Sequence, residues 1–371
     1  MRVLHIINSL AAGGAEKLVE QMLPIMAREY GITCNVLLLT DKGNVFDDEL
    51  RKNGVQIDVV PYRRPRSPLN PLLIRRYINK GNYDVVHAHL FPTFYWVSLA
   101  ARLTLRPKPS FFVTEHCTHN ERRDRKWLKP VERLIYSQYD RVFSVSCAAL
   151  SNLIGWLSLS ETEKFVVIQN GIDLKPFYDA VPYEKSEICG TREDQIVLVT
   201  MVARFTPAKD QKTLIRCLSV LPEKVHVAFV GSGPLKGECE ELAAELGVRS
   251  RVHFLGFRRD VPRILKTSDI VVLSSHREAF GLTAVEGMAA GKPVVGTNVQ
   301  GLSDVIGDTA LLFACGDYEG LGTIISRLLD DPAYYRSVAE RFLQRSKEFD
   351  IRKTIEGLLD FYQQALGRTS S

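Results

Sequence analysis

Short apolar runs separated by stretches of helical periodicity constrain this chain more than any other feature. Val3–Ile7, Cys34–Leu39, Gln56–Val60, Val85–Ala88, Phe111–Thr114, Arg141–Val145 and Val166–Ile168 read as strands. After an interruption the series resumes with Ile196–Val202, Val225–Val230, Val252–Leu255, Ile270–Leu273, Pro293–Gly296 and Leu311–Phe313. Runs that are apolar throughout suit a parallel sheet covered on both faces. Ala15–Arg28, Pro130–Tyr139, Gly237–Leu246 and Leu282–Ala290 read as helices between them. Such alternation predicts doubly wound α/β architecture. With 371 residues, more than one core usually holds, two domains are expected.

The interruption, from about Asp173 to Asp194, contains Pro176, Pro182 and Gly190 and reads as a linker. The expected division is a first domain over 1–175, a linker over 176–194 and a second domain over 195–348. A closing helix over 349–371 is expected to pack back on the first domain. Its residues Ile351, Ile355, Leu358, Leu359, Tyr362 and Leu366 fall on one helical stripe.

Composition excludes several classes. Hydrophobic residues at 45% and charged residues at 25% fit a globular chain, not a disordered or fibrous one. No apolar run approaches the ~20 residues that cross a bilayer, and the opening Met1–Ile7 is too short for a signal-peptide core. A cytoplasmic protein is expected, able to sit on the inner face of the plasma membrane. The seven cysteines, at 34, 117, 147, 189, 217, 239 and 315, form no CxxC pair, which suggests neither a zinc site nor a disulfide framework. Residues 1–175 hold 24 Lys and Arg against 17 Asp and Glu, and the remainder 24 against 26. The first half therefore implies an anionic partner: a phosphorylated acceptor, a membrane surface or nucleic acid.

Four motifs carry chemistry. Ala11-Ala12-Gly13-Gly14-Ala15-Glu16 follows the first strand and enters a helix, so Gly13 and Gly14 let an anion reach the free N–H groups of the helix tip. Taken alone, a ligand-free turn explains it equally well. Gly231-Ser232-Gly233-Pro234 follows a later strand, and alone it fits a plain turn better. Neither is GxGxxG, so no nicotinamide or flavin cofactor is indicated. Arg204, at the C-terminal end of a strand, and Lys209 at the next helix start can neutralise a diphosphate whose charge grows as it leaves, although an isolated pair of this kind more often sits on a solvated loop. Finally, Glu278 and Glu286 frame a helix start marked by Gly281 and ended by Gly291 and Pro293. Glu286 can accept hydrogen bonds from ribose hydroxyls and Glu278 from a sugar, while the tip over Gly281–Thr283 can bind phosphate; taken singly, Glu278 also fits a surface loop and Glu286 a solvated helix face.

In this order the motifs resemble the retaining glycosyltransferases of family four, also called glycosyl transferases group 1. The resemblance covers almost the whole chain. It includes Asp84-Val-Val-His-Ala-His89, Thr114-Glu-His116 and Val167-Ile-Gln-Asn-Gly-Ile-Asp173, and Glu278-x7-Glu286 is its signature. It implies the GT-B fold, two Rossmann-like doubly wound parallel-sheet domains facing a cleft. It further implies catalytic roles for His116 and Glu278. Gly13, Gly14, Arg204, Lys209, Phe280, Gly281, Leu282, Thr283 and Glu286 would bind the donor. No metal and no cofactor is expected beyond a nucleotide-sugar donor, UDP ahead of GDP. The acceptor would be a cell-surface glycan or a polyprenyl-diphosphate-linked one. The chain departs from the family's usual residues at Ala203, Asp210, Ala279 and Gly287.

His87, His89, His116 and His119 lie in the first domain without strong metal-ligand spacing; His87 reads as buried in its strand and His116 as the functional one. Beyond them, Arg122, Arg123, Arg125, Lys126 and Lys129 surround Trp127 and Leu128. This cluster fits contact with an anionic membrane and equally a solvated helix end; Arg63, Arg64 and Arg66 favour the membrane slightly. Two rival readings are a nucleotide-sugar epimerase on the same fold, which would isomerise a UDP-sugar without acceptor, and a non-catalytic scaffold. A nucleic-acid binder lacks any accompanying motif.

Overall fold

The structure, a computed structural model, describes residues 1–104, 108–116, 121–159, 163–191 and 195–369. His119 and Cys117 lie outside the described residues. The chain forms two compact units: unit 1 is Met1–Asp173 with Ile351–Ser371, and unit 2 is Leu174–Asp350.

Unit 1 holds a parallel sheet of β1 (Arg2–Ile7), β2 (Thr33–Leu38), β3 (Gln56–Val59), β4 (Val85–His89), β5 (Ser110–Glu115), β6 (Arg141–Ser144) and β7 (Phe165–Val167), in the order β3-β2-β1-β4-β5-β6-β7. Alternation along β1 explains the unbroken apolar runs. Val3 and Ile7 enter one buried cluster, with Leu18, Val19 and Met22 of the helix Gly14–Tyr30. Leu4 and Ile6 enter the cluster on the opposite face, with Ile74, Phe94 and Val97. From Val3 to Ile7 every side chain thus leaves water, whichever face it points to.

The helix Ile351–Thr369 completes the first of these clusters. Its Ile351, Ile355, Leu358, Leu359 and Tyr362 are buried there, at roughly 1.5–3 kcal/mol for each large apolar side chain. The Tyr362 ring lies 4.9 Å from that of Phe112 in β5.

Unit 2 repeats the pattern with β8 (Val197–Val202), β9 (Val225–Val230), β10 (Val252–Gly256), β11 (Ile270–Leu273), β12 (Val294–Thr297) and β13 (Leu312–Phe313), ordered β10-β9-β8-β11-β12-β13. The stretch 176–194 is not a free linker in its described part. It carries the short helices Lys175–Tyr178 and Lys185–Cys189, the second started by a capping box between Glu184 and Glu187. Ile188 and Cys189 are buried against Leu198, Ala228 and Val230, which ties the segment to unit 2. Among the described residues, no helix is long and apolar enough to cross a membrane.

Candidate functional site

In each sheet the strand order reverses beside the strand that begins the unit. The loops leaving the C-terminal ends of those neighbouring strands diverge and open a crevice, the usual ligand position in such sheets. In unit 2 the crevice lies between β8 and β11, and four of the sequence-singled residues belong to its surroundings.

Arg204 leaves β8 two residues after Val202 and is exposed, with no hydrogen bond or ion pair from its guanidinium among the described residues. Its backbone is held from below. Ala203 N–H donates to the Val230 carbonyl at 2.9 Å, and Phe205 N–H to the Ser232 carbonyl at 3.0 Å. Gly231 and Gly233 permit this approach, because an added Cβ would fall on the carbonyl oxygens of Ala203 and Phe205. The Gly-Ser-Gly turn is therefore the seat of the Arg204 loop.

Lys209 is not a free cation. Its ammonium donates to Glu278 Oε1, which also accepts from Ser275 Oγ at 3.2 Å. The next residue, Asp210, adopts φ 47°, the conformation for which glycine is the cheapest choice. Its carboxylate caps the helix Gln211–Cys217, accepting from the Thr213 N–H at 3.4 Å and also from Thr213 Oγ1 at 2.6 Å. Ser274 Oγ donates to the Asp210 carbonyl at 2.7 Å and so joins the ends of the Lys209 and Glu278 loops.

The helix Leu282–Ala289 starts at Gly281, whose φ is 97° and which has no side chain to cap the tip. Its first-turn N–H groups are left for an anion. Thr283 Oγ1 donates to the Val202 carbonyl at 3.3 Å, tying this tip to the end of β8. Leu282 is half-buried, and Glu286 is buried on the same helix. The neighbouring Gly287 packs on the sheet so closely that a Cβ would meet Val271 Cγ2 and Val294 Cγ2 at 3.0 Å each. That spacing is the physical reason for glycine at this position. Phe280 is buried edge-on against Phe349, so its ring packs in the core of unit 2 and only its main chain faces the loop.

One element of this site left no mark in the sequence reading. Gly301, with φ 90°, passes under the Glu278 loop, and a Cβ there would stand 2.7 Å from the Glu278 carbonyl oxygen and 2.9 Å from that of Ala279. The close approach joins residues far apart in the chain, and only a bare Gly301 in the segment after β12 hinted at it.

In unit 1, Gly13 precedes the helix Gly14–Tyr30 in extended conformation. The space where a Gly13 side chain would stand is filled by the Glu16 carboxylate. His116 follows β5. Burial lowers its pKa to about 4, and its Nε2 lies 3.1 Å from His89 Nδ1.

The basic cluster after it divides. Arg122 and Arg123 turn inward. The Arg122 guanidinium lies 4.2 Å from the Phe91 ring centroid and 3.4 Å from Glu132, and Arg123 approaches Glu115 at 3.9 Å. Glu132 is fully buried and also accepts from Tyr95 at 2.6 Å and Trp156 at 2.7 Å. A buried carboxylate must be paired, and these arginines supply the charge. Arg125, Lys126 and Trp127 remain exposed, Trp127 at 67%.

Comparison with known proteins assigns both halves. Residues 12–176 match the family model for Glycosyltransferase Family 4, and residues 184–348 that for Glycosyl transferases group 1. The chain is 28% identical to a putative glycosyltransferase, EpsD, of Bacillus subtilis, over 82% of this chain and 83% of that one. It is 27% identical to the UDP-Gal:alpha-D-GlcNAc-diphosphoundecaprenol alpha-1,3-galactosyltransferase of Escherichia coli, over 77% and 76%. Among solved structures, Anabaena HepE in complex with UDP and glucose superposes with a TM-score of 0.82 at 23% identity, over 98% of this chain and 99% of that one.

Proposed function

Because the chain belongs to the two-domain glycosyltransferases of group 1 and family 4, we propose that it moves a sugar from a UDP-sugar to a cell-surface glycan or a lipid-linked acceptor, with retention at the anomeric carbon and without a bound metal. The observation that carries this reading is the β8–β11 crevice of unit 2. It collects an exposed arginine, a lysine–carboxylate pair and an uncapped helix tip within one set of mutually braced loops.

Arg204 and Lys209 take the diphosphate, Lys209 sharing its ammonium between Glu278 and a phosphate oxygen. The N–H groups at Leu282 and Thr283 add fixed partial charge, with Gly281 keeping the tip open. As the sugar–phosphate bond breaks, charge builds on the departing UDP, and these groups stabilise it more than they stabilise the bound donor. Glu286 accepts from the ribose hydroxyls. Glu278, already committed to Lys209 and Ser275, orients a hydroxyl of the sugar, and acceptor attack proceeds on the face the UDP leaves. By the family resemblance, Gly14 would serve the donor phosphates, Gly13 would shape its turn, and His116 would serve the transferred sugar. The UDP in the Anabaena structure and the UDP-Gal named for the Escherichia coli relative support the choice of base.

The acceptor's membrane is met by Arg125, Lys126 and Trp127, together with Val131 and Leu134, exposed on the same stripe of the following helix. The protein then works peripherally on the inner face of the plasma membrane. The test is a thermal-shift screen with UDP, GDP and ADP, followed by transfer from UDP-sugars to polyprenyl-diphosphate glycans in EDTA. UDP is expected to stabilise most, and Lys209→Ala and Glu286→Ala to lose turnover. Unchanged turnover in both variants, or a strict need for a divalent cation, refutes the scheme.

A further inference from the structure

β1 and β4 pair in parallel with His5 opposite His87. Strand alternation puts His89 on the same face, two residues further on. Burial is complete or nearly so for all three. His5 Nδ1 lies 3.1 Å from His89 Nε2, and His89 Nδ1 lies 3.1 Å from His116 Nε2. In both steps the ring centroids are 5.4 Å apart. The 3.1 Å nitrogen separation and the two ring radii nearly make up each 5.4 Å, so centroid, nitrogen, nitrogen and centroid fall nearly on one line. Each nitrogen is aimed at its neighbour rather than at a shared point, as a metal ion would require. His87 stacks on His89 at 4.3 Å and spends its own nitrogens on the Tyr362 hydroxyl and on Thr114 Oγ1. The cluster is therefore a linear chain, His5–His89–His116, with His87 as its wall.

A neutral imidazole has one N–H and one lone pair. A line of three has two proton arrangements, with every N–H directed toward His116 or every N–H directed toward His5. The inner end decides between them. His5 Nε2 is buried and, among the described residues, has no hydrogen-bond partner. If the protons ran inward, that atom would carry a stranded N–H; if outward, only a lone pair. Orphaned buried N–H groups are the rarer and costlier outcome. Burial keeps the rings neutral, with His5 lowered to about 3, His116 to about 4 and His89 well below its usual range.

We propose that His89, backed by His5, is a positioning residue that locks His116 as the Nδ1–H tautomer, making its remaining nitrogen a hydrogen-bond donor instead of a base. The tautomer follows from the geometry alone. Its use, donation to a sugar hydroxyl or to the oxygen that gains charge during transfer, rests on the function proposed above.

Long-range 1H–15N spectra of the full chain with ring-15N histidine test this directly, the His116 signals being assigned by their loss in His116→Gln. The expected result at pH 7 is a protonated Nδ1 and an unprotonated Nε2. A His116 protonated on Nε2, or cationic, overturns the proposal. His89→Leu removes the donor that faces His116 Nε2. It is expected to raise the Nε2–H population and lower transfer about ten-fold, less than the 10²–10³ of outright loss of such a donor. His89→Asn, whose amide N–H can stand in for Nδ1–H, is expected to restore the tautomer and most of the rate. An unchanged His116 tautomer in His89→Leu counts against the chain. Because the spectra need no substrate, a wrong donor or acceptor assignment leaves this readout intact.

Discussion

Replacing Gly301 by alanine should disable the Glu278 loop from a position that touches no substrate. The residue has φ 90° and ψ −53°, outside the left-handed basin that alanine tolerates. Its new Cβ would meet two backbone oxygens at 2.7 and 2.9 Å, and backbone cannot swing aside as a side chain can. Backbone strain of about 1–3 kcal/mol adds to an overpacking cost of similar size, giving about 3 kcal/mol in all. For a unit of this size that lowers Tm by roughly 6–12 °C. Relief requires residues 278–279 to shift by roughly half an ångström, which should cost transfer about ten-fold, given that a 1 Å misplacement can cost 10²-fold. Gly291→Ala is the control. Its φ of 75° is also strained, yet a Cβ there meets nothing within 4 Å, so it should lose about 1 kcal/mol and keep its kinetics. Calorimetry and initial rates on both variants decide the matter. Wild-type Tm and kcat/KM in Gly301→Ala, or an equal loss of rate in Gly291→Ala, would refute the reasoning.

Other outcomes follow from the same geometry. Lys209→Met strands the half-buried Glu278 carboxylate and should destabilise unit 2 by about 1–3 kcal/mol; adding Glu278→Gln should recover part of the stability and none of the transfer, read by urea titration and rate assay. Gly287→Ala should cost about 1 kcal/mol or more by urea titration, as two valines are pushed from the sheet. Acid should unfold unit 1 early. His5, His87, His89 and His116 all have folded pKa values below their unfolded value near 6.5, so the unfolded chain binds more protons as pH falls and stability drops from about pH 6.5 downward. Trp96, Trp127 and Trp156 all belong to unit 1, so tryptophan fluorescence should report an acid transition above pH 4, and a flat signal would contradict it. Anionic liposomes should retain the protein, less at high salt and less for Lys126→Glu with Trp127→Ser, whereas Arg122→Glu should act by unfolding.

The strands were legible because doubly covered parallel strands must be apolar on both faces, a signal local to each segment. The stripe from Ile351 to Tyr362 was legible for the same reason. The Rossmann turns showed as glycines, but their purpose did not. Gly231, Gly233 and Gly301 exist for backbone passing close by from elsewhere in the chain, and sequence spacing carries no trace of that. Arg122 and Arg123 were misread because a basic run gives no sign of which charges find a buried carboxylate; Glu132, inside an amphipathic helix, was the available clue. His5, His87 and His89 share one face of the sheet, and pairing β1 with β4 in register would have exposed the start of the chain that runs from His5 through His89 to His116.

The helix Ile351–Thr369 closes a core whose other buried walls lie more than two hundred residues earlier in the chain. During synthesis, then, the portion of the protein made first is the last to be finished. Residues 1–173 leave the ribosome with one flank bare and must wait, exposed to chaperones and proteases, while all of unit 2 is translated and free to fold. A premature stop near residue 350 would spare every residue assigned to the donor crevice in unit 2, yet it should still yield an insoluble product.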